Sequence, residues 1–380
     1  MADPAIKLEP IGSREEFAAL EHEWDAFLPK TQVPSPFQSW DYLDVWWAVY
    51  GQRGYDVKLY VARDSDGQLI GAAPLMLTQR GAFPGSRGRF RHLALMGGVG
   101  EMPGESLELP ALPGYEQAIG EATADLITES LQGLWDVVYF YLVPEKSSSV
   151  RFMLDALSKY GITTRTTSSL PSPYLPIEST WDGYMKTRTA KFARRVRYIE
   201  SYANRRYAMK RLMIIEDISL NDAMGHLVRL ASERWGAESK AFHTPEFIAF
   251  HKQLAPRFLA KGRLSFGVLE LNGEIAGAAY NFVFADKMWG YQCPWDTRFK
   301  AAKAGNVLHL WSAKTSFDMG LRELDTLPGR SGYKDEWTSE AHVLNIYEGV
   351  CPDNLGGALF KVARQLDRLL KRKPTTISNS

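Results

Sequence analysis

Two stretches of the chain repeat each other at a fixed offset, which points to one folding unit used twice. Asp56 to Leu77 reads DVKLYVARDSDGQLIGAAPLML, and Arg263 to Phe284 reads RLSFGVLELNGEIAGAAYNFVF. Gly67 pairs with Gly273 and Gly71 with Gly277, both at an offset of 206. Each copy predicts an apolar strand, a tight Asp-Gly or Asn-Gly turn needing φ > 0 at both central residues, and a second strand carrying Gly-Ala-Ala. A further echo relates Gly133 to Phe140 with Gly320 to Leu327, each a helix exit into a strand. The first copy is the longer, with 66 residues from Gly71 to Val137 against 47 from Gly277 to Leu324, so the two have diverged in role.

A length of 380 residues gives each half enough chain to bury a core of its own. The predicted boundary separates residues 1–165 from 166–380. A net charge of +1 provides no global attraction to nucleic acid or anionic membrane. Cys293 and Cys351 are the two cysteines, at no metal-like spacing, so no disulfide framework or metal site is expected and a reduced, cytoplasmic setting fits. The first residues carry no apolar signal-type core, and no apolar run reaches the ~20 residues of a membrane span.

Helices are predicted over 13–29, where Ser13 and Glu16 form a capping-box pattern, and from a Ser39 cap through Tyr50. A Gly-rich stretch, 81–104, follows the first hairpin; it carries Arg80, Arg87, Arg89 and Arg91 at its edges and within it. A helix over 116–131, a strand over 135–142 and a helix over 150–160 complete the first half. Residues 163–176, with three prolines among several Ser and Thr, read as the linker. The second half reads as a basic helix over 180–202, helices over 222–236 and 245–259, the second hairpin and a strand over 287–295. A loop over 296–305, a helix over 306–319, strands at 323–327 and 342–350, and a final helix over 355–370 follow. The fold class is mixed α/β (α+β): two tandem units, each a mostly antiparallel twisted sheet flanked by helices.

This order, together with Pro36 to Trp40 leading to Trp46 and Trp47, Ser172 to Pro176, Lys191 to Arg195, Gly320 to Asp325, and Gly329 with Tyr333, Lys334 and Trp337, resembles the tandem GNAT acyltransferases. Within them it resembles the CelD-like acetyltransferases associated with cellulose biosynthesis, and it is similar to the Fem-type transferases, which take aminoacyl groups from tRNA. The resemblance implies an acyl-CoA co-substrate, held in a gap between two diverging strands with its diphosphate at the start of the next helix. Helix N-termini suit phosphate because their N–H groups are unpaired and the dipole is positive. On that pattern Lys300, Lys303, Ala304, Gly305 and Asn306 form the diphosphate loop, and Gln292 and Cys293 lie along the donor. The alternative for that loop is a solvated connection and an ordinary helix cap.

Acyl transfer requires a base, an oxyanion donor and an acid for the leaving thiolate. Asp325 is the first choice of base or acceptor-orienting group, Tyr333 a possible acid, and Lys334 a partner for a carboxylate or acyl oxygen. Trp289 and Tyr291 on the diverging strand, with Arg194 and Arg195 on the basic helix, are the expected acceptor contacts. Cys293 could act as a nucleophile but fits better as a small buried hydrophobe. His309 reads as a core or surface residue. Gly97 to Gly100 is either a surface loop or a roof over the acceptor. The basic run from Lys186 to Arg211, interleaved with tyrosines, is either a solvated helix face or a clamp for a phosphorylated acceptor or an RNA backbone. Three functions remain open: acyl transfer from acyl-CoA to a small-molecule or sugar amine or hydroxyl, aminoacyl transfer from tRNA, and a non-catalytic scaffold.

Overall fold

The computed structural model describes all residues except 1–5, 84–85, 87, 99–103, 237–241, 243, 330–333 and 372–380, together with the side chains of 200 and 368–371. Tyr333, Arg87 and the Val99–Gly100 half of the glycine loop therefore lie outside the described residues. The first half contains strands β1 (Leu8–Ile11), β2 (Tyr55–Arg63), β3 (Leu69–Arg80), β4 (Phe90–Leu95), β5 (Val137–Pro144) and β6 (Thr164–Pro176). Its helices are α1 (Arg14–Ala18), α2 (Glu21–Phe27), α3 (Trp40–Tyr50), α4 (Glu116–Thr128) and α5 (Ser148–Lys159). The second half contains α6 (Trp181–Thr187), α7 (Ala190–Arg206), β7 (Met209–Met213), α8 (Leu220–Trp235), α9 (Pro245–Ala260), β8 (Leu264–Leu271), β9 (Glu274–Phe284) and β10 (Lys287–Gln292). It ends with α10 (Ala304–Asp318), β11 (Glu323–Asp325), the one-turn α11 (Lys334–Trp337), β12 (Ala341–Val350) and α12 (Leu355–Lys371).

Among the described residues, twelve strands join one sheet in the order β1-β2-β3-β4-β5-β12-β6-β11-β10-β9-β8-β7. Neighbours are antiparallel except β4 with β5 and β10 with β11, which are parallel. Each copy is thus a meander joined by one parallel crossover. The first runs β1-β2-β3-β4-β5 and the second β7-β8-β9-β10-β11. The closing strands are exchanged: β6, from the first half, pairs with β11, and β12, from the second, pairs with β5. β6 and β12 then pair with each other at the centre.

Residues 164–176 are therefore a central strand and not the expected linker. The prolines are tolerated because the N–H and C=O of one residue in a strand point to the same side. The carbonyls of Pro171 and Pro173 accept bonds from Gly329 (3.3 Å) and Thr326 (2.9 Å), so their missing N–H groups face the irregular segment after β11 and cost β12 no pairing. The residue 165/166 boundary falls inside this strand.

Other expectations shift locally. The helix at 13–29 breaks at Ala19 and Leu20; Ser13 caps α1, and Glu16 returns to the Gly12 N–H at 2.7 Å. The basic helix breaks at Arg188, where Thr189 caps α7 by accepting from the Phe192 N–H. Asn272 and Gly273 both have positive φ, as the tight turn demands, whereas in the first hairpin Gly67 turns and Asp66 does not. There the Asp64 carboxylate closes a longer loop by accepting from the Asp66 and Gln68 N–H groups.

The two copies match in detail where the sheet meets its crossover helix. Gly71 bridges to Ala111 and Gly277 to Trp295, and Ala72 and Ala278 donate to the carbonyls of Pro110 and Pro294. A Cβ at Gly71 would lie 2.3 Å from Ile119 of α4, and one at Gly277 would lie 2.6 Å from Leu308 of α10. The glycines of Gly-Ala-Ala are thus where the crossover helix sits directly on the sheet.

Candidate active site

β10 and β11 pair only from Lys287 to Trp289 against Glu323 to Asp325, then diverge. The cause is local: the β9–β10 register slips between Trp289 and Gln292, and a bulge of this kind bends a strand away from its neighbour. The divergence opens a cleft of about 430 Å³. Gly290, Tyr291, Gln292 and Cys293 line one wall, and Leu324, Thr326, Leu327 and Pro328 the other. Asn281, His309 and Ser312 line it from β9 and α10, and Gly305 and Asn306 from the first turn of α10.

α10 starts at Lys303, which is left-handed (φ 56°, ψ 39°). Its first turn has no side-chain cap and no acidic residue, so the positive end of the helix is not neutralised from within. Gly305 serves a different neighbour from the expected one: a Cβ there would lie 2.7 Å from the Trp295 indole nitrogen. The close approach is therefore made by Trp295, with the Arg234 guanidinium 4.2 Å from its ring centroid. Arg234 also lines the cleft.

The expected site residues separate into two groups. Tyr291, Gln292, Cys293, Gly305, Asn306 and Lys334 line the cleft. Trp289, Lys300, Lys303, Ala304, Arg194, Arg195 and Asp325 do not. Lys300 is exposed, and the Lys303 ammonium rests 4.8 Å from the Tyr198 ring. Ala304 is fully buried, Arg194 is exposed, and Arg195 pairs with Glu336. Trp289 packs edge-on to Phe37.

Asp325 departs most from its expected role. β11 alternates, so Leu324 and Thr326 face the cleft while Glu323 and Asp325 face the opposite way. The Asp325 carboxylate accepts from Ser172 Oγ (2.7 Å) and the Leu327 N–H (2.8 Å). Burial pushes its pKa up, and those two bonds oppose the shift. Its geometry is that of a pin holding β6 and the turn after β11. Glu323, Asp325 and His342 approach one another closely enough to hold a metal ion, but Lys287 (2.7 Å) and His342 (3.0 Å) already engage Glu323. Burial opposes its ionisation, yet the His342 hydrogen bond and Lys287 hold it at about 2.

Among the described residues, the carboxylate that does reach the cleft is Glu105, from the first half. Its Oε2 is enclosed and has no hydrogen-bond partner among the described residues. Burial, reinforced by Asp325 and opposed by Lys334, pushes its pKa up to about 8. The segment is held by the first helical layer: Ser35 Oγ donates to the Glu105 carbonyl (3.2 Å), and the Gln38 amide exchanges two bonds with the Glu108 backbone. Lys334 lies across the cleft, donating to the Thr326 (2.8 Å) and Leu327 (2.9 Å) carbonyls, and burial lowers its pKa.

Tyr291 Oη meets His251 Nε2 at 3.2 Å, and His251 Nδ1 meets Tyr280 Oη at 3.3 Å. Burial drives His251 down to about 3, so the histidine is neutral and one tyrosine hydroxyl donates to it. Cys293 is raised to about 12 by burial, which removes it as a thiolate nucleophile. His309 falls to about 4 for the same reason, as a neutral wall of the cleft.

Residues 190–335, which carry the cleft except for Glu105, match the family described as an acetyltransferase (GNAT) domain. No curated protein matches the chain in sequence. Among solved structures, FemX is similar with a TM-score of 0.58 at 11% identity, covering 90% of this chain and 98% of its own. L-PGS from Bacillus licheniformis is similar with a TM-score of 0.51 at 12% identity, covering 93% and 97%. A tandem GNAT protein from the clavulanic acid biosynthesis pathway gives 0.52 at 10% identity, covering 92% and 100%. At these identities the likeness is one of fold. The chain has a tandem GNAT fold whose second copy carries the GNAT acetyltransferase domain and the open cleft.

Proposed function

We propose that the chain is an acyltransferase that moves an acyl group from acyl-CoA to an amine or hydroxyl of a small-molecule or sugar acceptor. The observation that carries this reading is the divergence of β10 from β11, with the uncapped start of α10 on the cleft it opens. The thioester arm lies along Gly290 to Cys293, where β10 has parted from β11. The diphosphate lies at the first turn of α10, with Arg234 in the cleft and Lys300 and Lys303 outside it. Residues 166–380 bind the donor, and residues 1–165 shape the acceptor side. A place among CelD-like acetyltransferases follows from resemblance.

Glu105 is the base. Its carboxylate takes the proton from the acceptor N–H or O–H as the acceptor attacks the acyl carbon. The carbon–sulfur bond then breaks, and the sulfur leaves as a thiolate. The proton held by Glu105 then neutralises that thiolate, and Tyr291, whose hydroxyl burial keeps protonated, donates a hydrogen bond to the sulfur. Lys334 keeps positive charge beside Glu105 and the developing oxyanion. Thiol release from acetyl-CoA, measured across a panel of amine and hydroxyl acceptors, tests the proposal. Turnover that depends on acceptor and is lost in Glu105→Gln supports it; no thiol release with any acceptor counts against it.

A second reading, aminoacyl transfer from tRNA, is favoured by α7. Its Arg194, Arg195 and Arg197 are exposed beside the half-exposed Tyr198, and Asn306 of the cleft also lines a small pocket with Arg195. Filter binding of charged tRNA with its salt slope separates the two donors.

A further inference from the structure

We propose that α12 is an interfacial helix that docks this protein on an anionic lipid surface. Nine large apolar or aromatic side chains are exposed among the described residues, and four of them, Leu355 (74%), Leu359 (52%), Val362 (53%) and Leu366 (54%), belong to this one helix. Their spacing of i, i+4, i+7 and i+11 puts them within about 60° of one another on an α-helix. They form a continuous stripe. The helix is held to the rest of the molecule by a different face. Phe360 packs edge-on to Phe90 (5.2 Å), and Arg364 pairs with Glu348 (2.9 Å). Folding has therefore used one apolar side of α12 and left a second in water.

Charge identifies the occupant. From Leu355 to Lys371 the helix carries Lys361, Arg364, Arg368 and Lys371 against Asp367 alone. A groove of about 310 Å³ beside it is lined by Arg165, Lys361 and Arg364; Glu348, its one acidic residue among the described residues, pairs with both arginines, so two cations face one anion and Lys361 adds a third. An apolar stripe on a helix whose charges are mostly basic suits the boundary between acyl chains and anionic headgroups. A second copy of the chain fits less well. It would bring two such basic sets together, and a stripe of four side chains is narrow against the ~800 Å² per partner of a stable interface. The proposal does not depend on the chemistry in the β10–β11 cleft.

Co-sedimentation of the full chain with vesicles of phosphatidylcholine, and of phosphatidylcholine mixed with phosphatidylglycerol, tests it. The wild type sediments with the mixed vesicles and not with phosphatidylcholine alone, and salt weakens the association. The surface variant Leu359→Ser/Leu366→Ser lowers partitioning about tenfold or more, and Lys361→Glu lowers it several-fold. Three results would each overturn the proposal: no sedimentation with the mixed vesicles, partitioning unchanged in the double serine variant, or a wild-type dimer in sedimentation velocity that the double variant abolishes.

Discussion

The two copies of the folding unit reach the same point by the same contacts and then part. Each bridges its Gly-Ala-Ala glycine to the segment that precedes the crossover helix, but Ala111 lies 16 residues beyond the end of β4 (111 − 95), while Trp295 lies 3 beyond the end of β10 (295 − 292). The described part of the extra chain packs on β5. The Leu107 N–H donates to Leu142 of β5, and Leu107 and Leu109 are fully buried. The helix starts differ too. At α4 the Glu116 carboxylate accepts from the Gly114 N–H at 2.8 Å, placing an internal anion where α10 has none. The first copy is closed by its own residues, and the closing segment projects Glu105 into the second copy's cleft. On the proposed function, a duplicated fold divides one task, with one unit holding the donor side and the other contributing the base.

The largest expected effect breaks this division at its link. Glu105→Gln should lower kcat/KM about 10²–10⁴-fold above pH 8 while donor binding changes little. Because the base must be ionised, wild-type kcat/KM should rise with pH through about 8, and the gap to the variant should narrow as pH falls. A flat wild-type profile, or a variant of equal activity, separates Glu105 from the chemistry.

Next in size is the shared glycine. Gly71→Ala and Gly277→Ala should each destabilise by about 1–3 kcal/mol through overpacking against Ile119 and Leu308, read as a fall in Tm. A loss in only one of the two would show that the matched contacts are not equivalent.

Folding stability should also depend on pH. Glu105 and Glu108 are both raised from an ordinary 4.5 to about 8, chiefly by burial. The folded state then binds more protons than the unfolded state between those values, so their contribution to stability falls as pH rises from about 4.5 to 8. Denaturant titrations should show that decline and show it reduced in Glu105→Gln/Glu108→Gln; an unchanged slope contradicts it. The smallest effect belongs to Lys300→Glu/Lys303→Glu, expected to weaken CoA affinity by severalfold because both lysines lie outside the cleft. Unchanged affinity in calorimetry would remove them from the donor site.

Much of the architecture was legible because it rests on local signals. The repeated hairpins, the Ser39 cap and the α10 segment all follow from spacing and turn chemistry. The exchange of β6 and β12 was not, because strand partners are chosen across the whole chain and a run with Pro171, Pro173 and Pro176 reads as a linker until its neighbours are known. Around the cleft, Tyr291, Gln292, Gly305, Asn306 and Lys334 were reachable from the motif. Asp325 was misdirected by strand alternation, since one residue of register separates the cleft face from the opposite face. Glu105 had no motif of its own. Its trace in the sequence was the 19-residue excess of the first copy (66 − 47), which marks an insertion without saying where it goes.

Calorimetric titration of the chain with a non-transferable acetyl-CoA analogue counts its donor sites and assigns them to one copy or the other. One site per chain, retained in Glu116→Lys and in Glu105→Gln, is the predicted result. Two sites per chain, or a single site abolished by Glu116→Lys, would place the donor in the first copy and contradict the account.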